Sequence, residues 1–152
     1  MSRHHIAADT ADCCLFGYTA GWHILLVRRR WEPYAGRWAI PGGYVEPGES
    51  SEVAARRELA EETNVACHAL EFVDHYKAPG RDPRGEVTSD AWWGLVPALG
   101  GIGGCPTPEP ADDAADARWW HIDRLPPLAF DHGDIIADAV AQLRGRHHQE
   151  IR

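Results

Sequence analysis

Clustered acidic side chains follow a glycine-containing loop near the middle of the chain. Residues 43–49 read Gly-Tyr-Val-Glu-Pro-Gly-Glu, and residues 57–65 read Arg-Glu-Leu-Ala-Glu-Glu-Thr-Asn-Val. Glu58, Glu61 and Glu62 are spaced so that a helix with about 3.6 residues per turn carries all three on one arc. Carboxylates crowded in this way need a counter-charge, and Mg²⁺ prefers oxygen ligands that it shares with substrate phosphates. The pattern predicts a hard-cation site for phosphorus chemistry.

An acidic helix taken alone is also typical of a solvated surface. The complete pattern of a glycine, Glu49 and Arg57-Glu-Leu-x-Glu-Glu, however, resembles the signature box of the Nudix hydrolases. One position departs from that box: Asn64 stands where the family usually has Gly, just past the helix end. Because Asn also adopts the left-handed conformation that such a C-cap needs, we expect the turn to be retained.

The resemblance implies a divalent-metal site, with Mg²⁺ or Mn²⁺ as the cofactor. Glu58 and Glu62 would be the principal ligands, and the Gly43 carbonyl would be a backbone ligand. Glu61 would be a third ligand or the base that orients water, and which glutamate acts as the base stays open. Bound metal neutralises a diphosphate and helps to make a nucleophile from water.

Two further residues of the box carry opposite charges. By the resemblance, Arg57 and Glu49 pair with each other and hold the loop against the helix. They would support the metal ligands from behind, so we count both with the catalytic residues.

A metal cluster that handles two phosphates often takes a further acid from a distant loop. The long connection over residues 99–117, rich in Gly, Pro, Asp and Ala, supplies Glu109, Asp112, Asp113 and Asp116. Asp112 and Asp113 are the leading candidates for additional metal ligands. A solubilising acidic turn is an equally good reading of the same residues.

Arginines and aromatic residues outside the box are candidates for substrate binding. Arg29 on an early strand aligns with the family, and Arg81 and Arg84 lie in a loop from which they can form paired hydrogen bonds to phosphate. Exposed arginines are also commonly just solvated. Trp31 or Tyr34, beside the arginines, can stack on a base.

The segment Ala-Pro-Gly-Arg-Asp-Pro-Arg-Gly at residues 78–85 is similar to one branch of the family. That branch contains ADP-ribose pyrophosphatases and the Nudix domains of NAD-synthesis enzymes and regulators. The resemblance implies hydrolysis of a nucleoside diphosphate linked to another group, with ADP-ribose first. A nucleoside triphosphate pyrophosphatase acting on oxidised or non-standard nucleotides is one alternative, and a sensor that binds ADP-ribose or a dinucleotide without cleaving it is another.

The elements that must position these residues follow from apolar periodicity and turn signals. Strands are predicted at residues 12–19, 22–28, 66–77, 86–97 and 118–122, and helices from Ser50 or Ser51 to about Thr63 and over residues 131–144. The first two strands should form a hairpin through Ala20-Gly21. The order predicts an α/β (α+β) protein with a mixed sheet sandwiched between helices, which is what the Nudix fold implies.

The length of the chain limits the number of domains, and its net charge limits the kinds of partner that it can bind. The 152 residues suit one domain, which we assign to residues 11–145 between flexible tails at 1–10 and 146–152. A net charge of −8 opposes binding to nucleic acid, so a small nucleotide is the expected partner. A signal peptide and an apolar run of about 18 residues are both lacking, which predicts a cytoplasmic protein without a membrane partner. The resemblance adds a homodimer by analogy.

Overall fold

The computed structural model describes residues 6–96 and 104–151. In chain order the elements are β1 (Ile6–Tyr18), β2 (Trp22–Arg29), β3 (Trp38–Ala39), β4 (Gly42–Tyr44), α1 (Ser51–Thr63), β5 (Glu71–Tyr76), β6 (Gly85–Leu95), β7 (Ala114–His121) and α2 (His132–Ile151). Within these ranges, no helix is long and apolar enough to cross a membrane.

Strands β1 and β2 form the predicted antiparallel hairpin, in which Phe16 pairs with Ile24. Gly21 in the connecting turn has a φ of 126°, which glycine adopts without the steric cost of a side chain. Strand β1 begins at Ile6, so residues 6–10 lie in the sheet rather than in the predicted N-terminal tail.

Strand β1 is the centre of a mixed seven-stranded sheet with the order β3-β2-β1-β6-β5. It runs parallel to β6, from the pair Ile6 and Gly85 to the pair Phe16 and Leu95. Strand β4 pairs antiparallel with β1, and β7 pairs antiparallel with β2. The glycine loop that enters β4 is therefore bonded directly to the central strand.

The two helices cover opposite faces of this sheet, because successive side chains of a strand point to opposite sides. One core cluster contains Ala11, Cys13 and Leu15 of β1 together with Ala54, Ala55 and Leu59 of α1. A second contains Cys14 and Phe16 of β1 together with Ile135, Ile136, Ala139 and Leu143 of α2. The predicted mixed sheet sandwiched between helices is confirmed.

Helix α1 begins and ends as predicted. Ser50 is the N-cap, and its hydroxyl accepts a hydrogen bond from the Val53 N–H at 3.2 Å. Asn64 is the C-cap, with φ 58° and ψ 21° in the left-handed region, and its N–H donates to the Ala60 carbonyl. Asn therefore does what Gly usually does at this turn.

Several boundaries differ from those predicted. Strand β5 begins at Glu71, so residues 66–70 are irregular, and β7 begins four residues earlier than Arg118. Helix α2 continues through residues 146–151, which had been assigned to a tail. In the long connection, residues 104–113 have no regular structure, and residues 97–103 lie outside the described residues.

Candidate active site

A polar cleft of about 230 Å³ opens where the glycine loop, α1 and the loops after β2, β5 and before β7 meet. Six carboxylates contribute to its lining, namely Asp12, Glu32, Glu58, Glu62, Asp82 and Asp113. Three arginines also line it, namely Arg29, Arg81 and Arg84. The cleft therefore combines groups that hold cations with groups that bind phosphate.

Glu58 and Glu62 are the two acids of α1 that enter the cleft. Glu62 is 6% exposed, and its carboxylate accepts the Gly42 N–H at 2.8 Å. Burial raises the pKa of both carboxyl groups, strongly for Glu62, where the charge of Glu58 raises it further. Asp113 adds to the repulsion on both. A bound cation would relieve this repulsion.

The glycine loop approaches these acids too closely for any side chain. A Cβ on Gly43 would lie 2.6 Å from the carboxyl carbon of Glu58, and a Cβ on Gly42 would collide with the carboxylate of Asp12. A side chain at either position would collide, so the backbone of the loop lies close to these carboxylates.

Arg57 ties the loop to the helix. It donates to both carboxylate oxygens of Glu49, at 2.7 and 3.0 Å, and to the Tyr44 carbonyl at 3.0 Å. It also donates to Glu58 at 2.9 Å and to Glu61 at 3.2 Å. Its hydrogen bonds hold the pKa of Glu49 at about 2. The predicted pair of Arg57 and Glu49 is confirmed.

Glu61 is placed differently from its two neighbours. Its side chain is 45% exposed, pairs with Arg57 and is not part of the cleft lining. The described residues contain no group of three or more His, Cys, Asp or Glu side chains already gathered as a metal centre. Glu58 and Glu62 both line the cleft and both have raised pKa values, and their carboxylates form an oxygen donor set that fits a hard divalent cation.

The acids of the long connection separate into one that reaches the cleft and three that do not. Asp113 lines the cleft, whereas its neighbour Asp112, in the turn with a φ of 55°, does not. Glu109 accepts a hydrogen bond from Asn64 at 3.4 Å, and Asp116 accepts one from Arg118 at 3.0 Å. Of the predicted pair, only Asp113 is placed to join Glu58 and Glu62.

Two arginines present guanidinium groups in the cleft. Arg29 donates to the Pro33 carbonyl at 2.7 Å and lies 5.0 Å above the ring of Phe130. Arg84 is held by both carboxylate oxygens of Asp82, at 3.0 and 2.7 Å, and lies 5.6 Å from the same ring. Both are pre-oriented for an anion.

Arg81 does not fit the predicted role in phosphate binding. Its side chain is 5% exposed and donates to both carboxylate oxygens of Asp131, at 2.9 and 2.7 Å. A third bond, at 3.0 Å, reaches the Val87 carbonyl. Arg84 has an equivalent pairing with Asp82, but its side chain is 33% exposed, so it can reach a ligand where the buried Arg81 cannot. Arg81 instead links the loop after β5 to the residue that precedes α2.

The two candidate aromatic residues also differ. Trp31 lines the cleft and is 61% exposed, so it is available to a ligand. Tyr34 is not part of the lining; its ring packs edge-on against Phe130 at 4.9 Å. Tyr34 therefore supports the ring on which the arginines lie.

Sequence reasoning missed several residues of the cleft, among them Asp12, Phe130 and His132. Asp12 is 6% exposed on the central strand, accepts a hydrogen bond from the Ser89 hydroxyl at 2.5 Å, and has its pKa raised by burial. Phe130 and His132 come from the segment that leads into α2. Only Asp12 had a signal in the sequence, as a carboxylate at the head of a buried apolar run.

A NUDIX domain model matches residues 8–139 of the chain. The chain belongs to the NUDIX domain family. The prediction of a Nudix hydrolase, an enzyme that acts on pyrophosphate bonds, is therefore confirmed at the level of the family.

Among NUDIX relatives, the ADP-ribose pyrophosphatase of Methanocaldococcus jannaschii is 43% identical over 122 residues, covering 80% of this chain and 68% of that protein. The ADPR responsive transcriptional repressor NtrR of Acinetobacter baylyi is 28% identical, over 90% of this chain and 54% of its own length. This chain thus spans about half of the repressor.

A solved structure with the same fold is the NUDIX domain of Shewanella oneidensis NrtR complexed with ADP ribose. Its TM-score is 0.81 at 29% identity, covering 91% of this chain and 89% of that one. The agreement extends over almost the whole of both chains, so the fold of this protein is that of a NUDIX domain.

Proposed function

We propose that this protein hydrolyses the diphosphate of ADP-ribose to AMP and ribose 5-phosphate, with Mg²⁺ or Mn²⁺ as cofactor. One observation carries the proposal: buried Glu62 and partly buried Glu58 share a single cleft with the oriented guanidinium groups of Arg29 and Arg84. A diphosphate needs both, because its charge must be neutralised before a nucleophile can approach.

The acids would hold the metal. Glu58 and Glu62 would be the main ligands, with Asp113 and the Gly43 carbonyl as further candidates. Divalent metal, when bound, supplies charge neutralisation and activates water. Arg57 keeps Glu58 and the glycine loop in place, and Glu61 at the edge of the site remains a candidate base.

The arginines would receive the negative charge of the substrate. Arg84 is already fixed by Asp82, so little side-chain entropy is lost when it binds a phosphate oxygen. Arg29 lies beside it, and its pKa is lowered first by burial and then by the charge of Arg84. Asp82 already offsets the charge of Arg84, so Arg29 would supply most of the attraction for a phosphate bound between them. Exposed Trp31 would contact the base.

The choice of ADP-ribose is supported by the relatives. The archaeal protein at 43% identity is named for this activity, and the NrtR domain was crystallised with ADP ribose. We further propose that the protein acts in the cytoplasm as a homodimer without a nucleic-acid partner. Sedimentation equilibrium of the purified chain tests the dimer.

A substrate panel tests the activity. ADP-ribose, ADP-sugars, dinucleotides and nucleoside triphosphates are incubated with Mg²⁺ or Mn²⁺, and release of AMP, phosphate or pyrophosphate is measured. We expect AMP from ADP-ribose at the highest rate. Pyrophosphate from triphosphates at a higher rate would instead identify a triphosphate pyrophosphatase, and binding of ADP-ribose without turnover would identify a sensor.

A further inference from the structure

We propose that His132 positions the loop of residues 40–43 by accepting the Ile40 N–H, and that this hydrogen bond sets the affinity of the site for divalent metal. The inference deepens the proposed function, because it rests on the metal site assigned there. His132 is the first residue of α2, and its side chain lines the cleft. It is about 70 residues away in sequence from the acids of the signature box.

The loop is fastened at three successive residues by three different elements. These hydrogen bonds run from the Ile40 N–H to His132 Nδ1 (3.0 Å), from the Cys13 N–H to the Pro41 carbonyl (2.9 Å), and from the Gly42 N–H to Glu62 Oε1 (2.8 Å). Proline has no N–H, so the donors of residues 40–42 are all accounted for. At residue 40, the hydrogen bond that holds the loop is accepted by the side chain of His132.

The bond with Ile40 selects one form of the imidazole. A backbone N–H can only donate, so His132 Nδ1 must be the unprotonated acceptor and the proton of the neutral ring lies on Nε2. Nε2 lies 4.0 Å from the carboxylate of Asp12. Burial lowers the pKa of His132, which favours this neutral form. The charged groups that act on the ring are Asp12, Asp131, Arg81 and Arg29.

Losing this acceptor would disturb the metal ligands. Ile40 is 2% exposed, and a buried N–H without a partner is costly, so the loop would shift to find one. A Cβ built on Gly43 would lie only 2.6 Å from the carboxyl carbon of Glu58, so the loop backbone and this side chain are close neighbours. The displacement would therefore reach both the Gly43 backbone and Glu58. Residues that orient metal ligands in this way typically change metal affinity by about 10- to 100-fold.

Two amide substitutions test the position of the acceptor. In His132→Asn, the side-chain oxygen takes the place of Nδ1, whereas in His132→Gln the amide lies near the place of Nε2. We measure Mn²⁺ affinity by isothermal titration calorimetry without substrate. We expect His132→Asn to bind Mn²⁺ within about threefold of the native protein, and His132→Gln and His132→Leu to bind at least about tenfold more weakly.

Val140→Ala serves as the control for stability alone. Val140 packs against the core from the same helix, so the variant should lower the melting temperature and keep native Mn²⁺ affinity. The proposal is overturned if His132→Gln binds Mn²⁺ as well as the native protein, or if His132→Asn binds no better than His132→Gln. Comparison of the two amides decides this even where His132→Leu does not fold.

The same titration separates this proposal from the proposed function. A native protein that binds Mn²⁺ but does not cleave ADP-ribose removes the substrate assignment and leaves the role of His132 to be judged on affinity. A native protein that takes up no Mn²⁺ overturns both.

Discussion

Glu62 is central to the proposed chemistry, and its buried carboxylate is also the group of the site that most destabilises the fold when it is ionised. Its carboxyl group is buried, receives one backbone hydrogen bond from Gly42, and lies under the repulsion of Glu58 and Asp113. A group of this kind raises the energy of the folded protein unless a cation compensates it. The proposed ligation of a metal ion would account for its presence in the cleft.

Glu62→Gln should lower turnover by about 10² or more, because it removes the charge of a proposed metal ligand and leaves the side-chain volume nearly unchanged. The Gln side-chain oxygen can still accept the Gly42 N–H, so the fold should persist. Steady-state release of AMP from ADP-ribose measures the effect. Glu52→Gln, in the first turn of the same helix and outside the cleft lining, is the control and should retain native turnover. Native turnover in Glu62→Gln would remove this residue from the site.

Gly43→Ala should weaken Mn²⁺ binding by about tenfold or more, since its Cβ would lie 2.6 Å from the carboxyl carbon of Glu58 and push either the loop or the ligand away. Calorimetric titration with Mn²⁺ measures the change. Gly145→Ala is the matched control: nothing lies within 4 Å of its Cβ, and alanine in a helix should stabilise the protein by about 0.5–1 kcal/mol. Equal Mn²⁺ affinities in the two variants would argue against close approach at Gly43.

At the scale of elements, helix α1 determines how Glu58 and Glu62 are placed relative to each other. Its N-cap at Ser50 and its C-cap at Asn64 fix where the helix begins and ends, and hence which side chains of its last turn face the cleft. Arg57 anchors the same helix to the loop before it. The caps and this anchor together hold Glu58 and Glu62 in one orientation.

Asn64→Ala should lower the free energy of unfolding by about 1 kcal/mol, because alanine pays a steric cost at the left-handed φ of 58°. Asn64→Gly should keep or raise the native stability, since glycine adopts this conformation freely. Urea denaturation of the two variants beside the native protein measures the difference. If alanine and glycine prove equally stable, backbone conformation does not govern this cap.

At the scale of the whole molecule, folding brings charges together that are far apart in the chain. Asp12 from β1, Glu62 from α1 and Asp113 from the connection before β7 all line one cleft. The folded protein therefore holds protons on Asp12 and Glu62 more strongly than the unfolded chain does, and the proposed metal would compete for the same place. Stability, pH and metal binding become linked.

Without metal, the stability of the native protein relative to Glu62→Gln should fall as the pH rises above 4.5. The pKa of Glu62 in the folded state is raised well above its unfolded value of 4.5. Below pH 4.5 Glu62 is protonated in both states, so it does not lower the stability there. Between 4.5 and the raised value, the folded state keeps a proton that the unfolded state releases; stability declines through this window. Melting temperatures of both proteins across the pH range measure it.

Addition of Mn²⁺ should reverse this decline in the native protein and have less effect on Glu62→Gln, because binding to the folded state alone stabilises it. A melting-temperature difference between the two proteins that does not change with pH would contradict the raised pKa of Glu62.

Local features of this protein were predictable because they depend on residues close in the chain. The spacing of Glu58 and Glu62 on a helix, the caps at Ser50 and Asn64, and the hairpin through Gly21 all follow from backbone preferences over a few residues. The sheet with helices on both faces was predicted from the order of strands and helices along the chain. Element ends were less accurate, as for β5 and β7, because pairing partners decide where a strand stops.

Tertiary structure decided which of several similar side chains face the cleft. The chain offers Asp112 and Asp113 side by side and Arg81 and Arg84 three residues apart, and sequence spacing treats the members of each pair alike. Only packing directs Asp113 into the cleft and ties Arg81 to Asp131, a partner 50 residues away.

The sequence by itself therefore determined the family pattern and the acids of one helix, because covalent spacing and helical period suffice for both. The contributions of Asp12, Phe130 and His132 were decided by folding alone. These residues lie near the two ends of the chain, and only the long-range pairing of strands and the docking of α2 bring them beside the signature box.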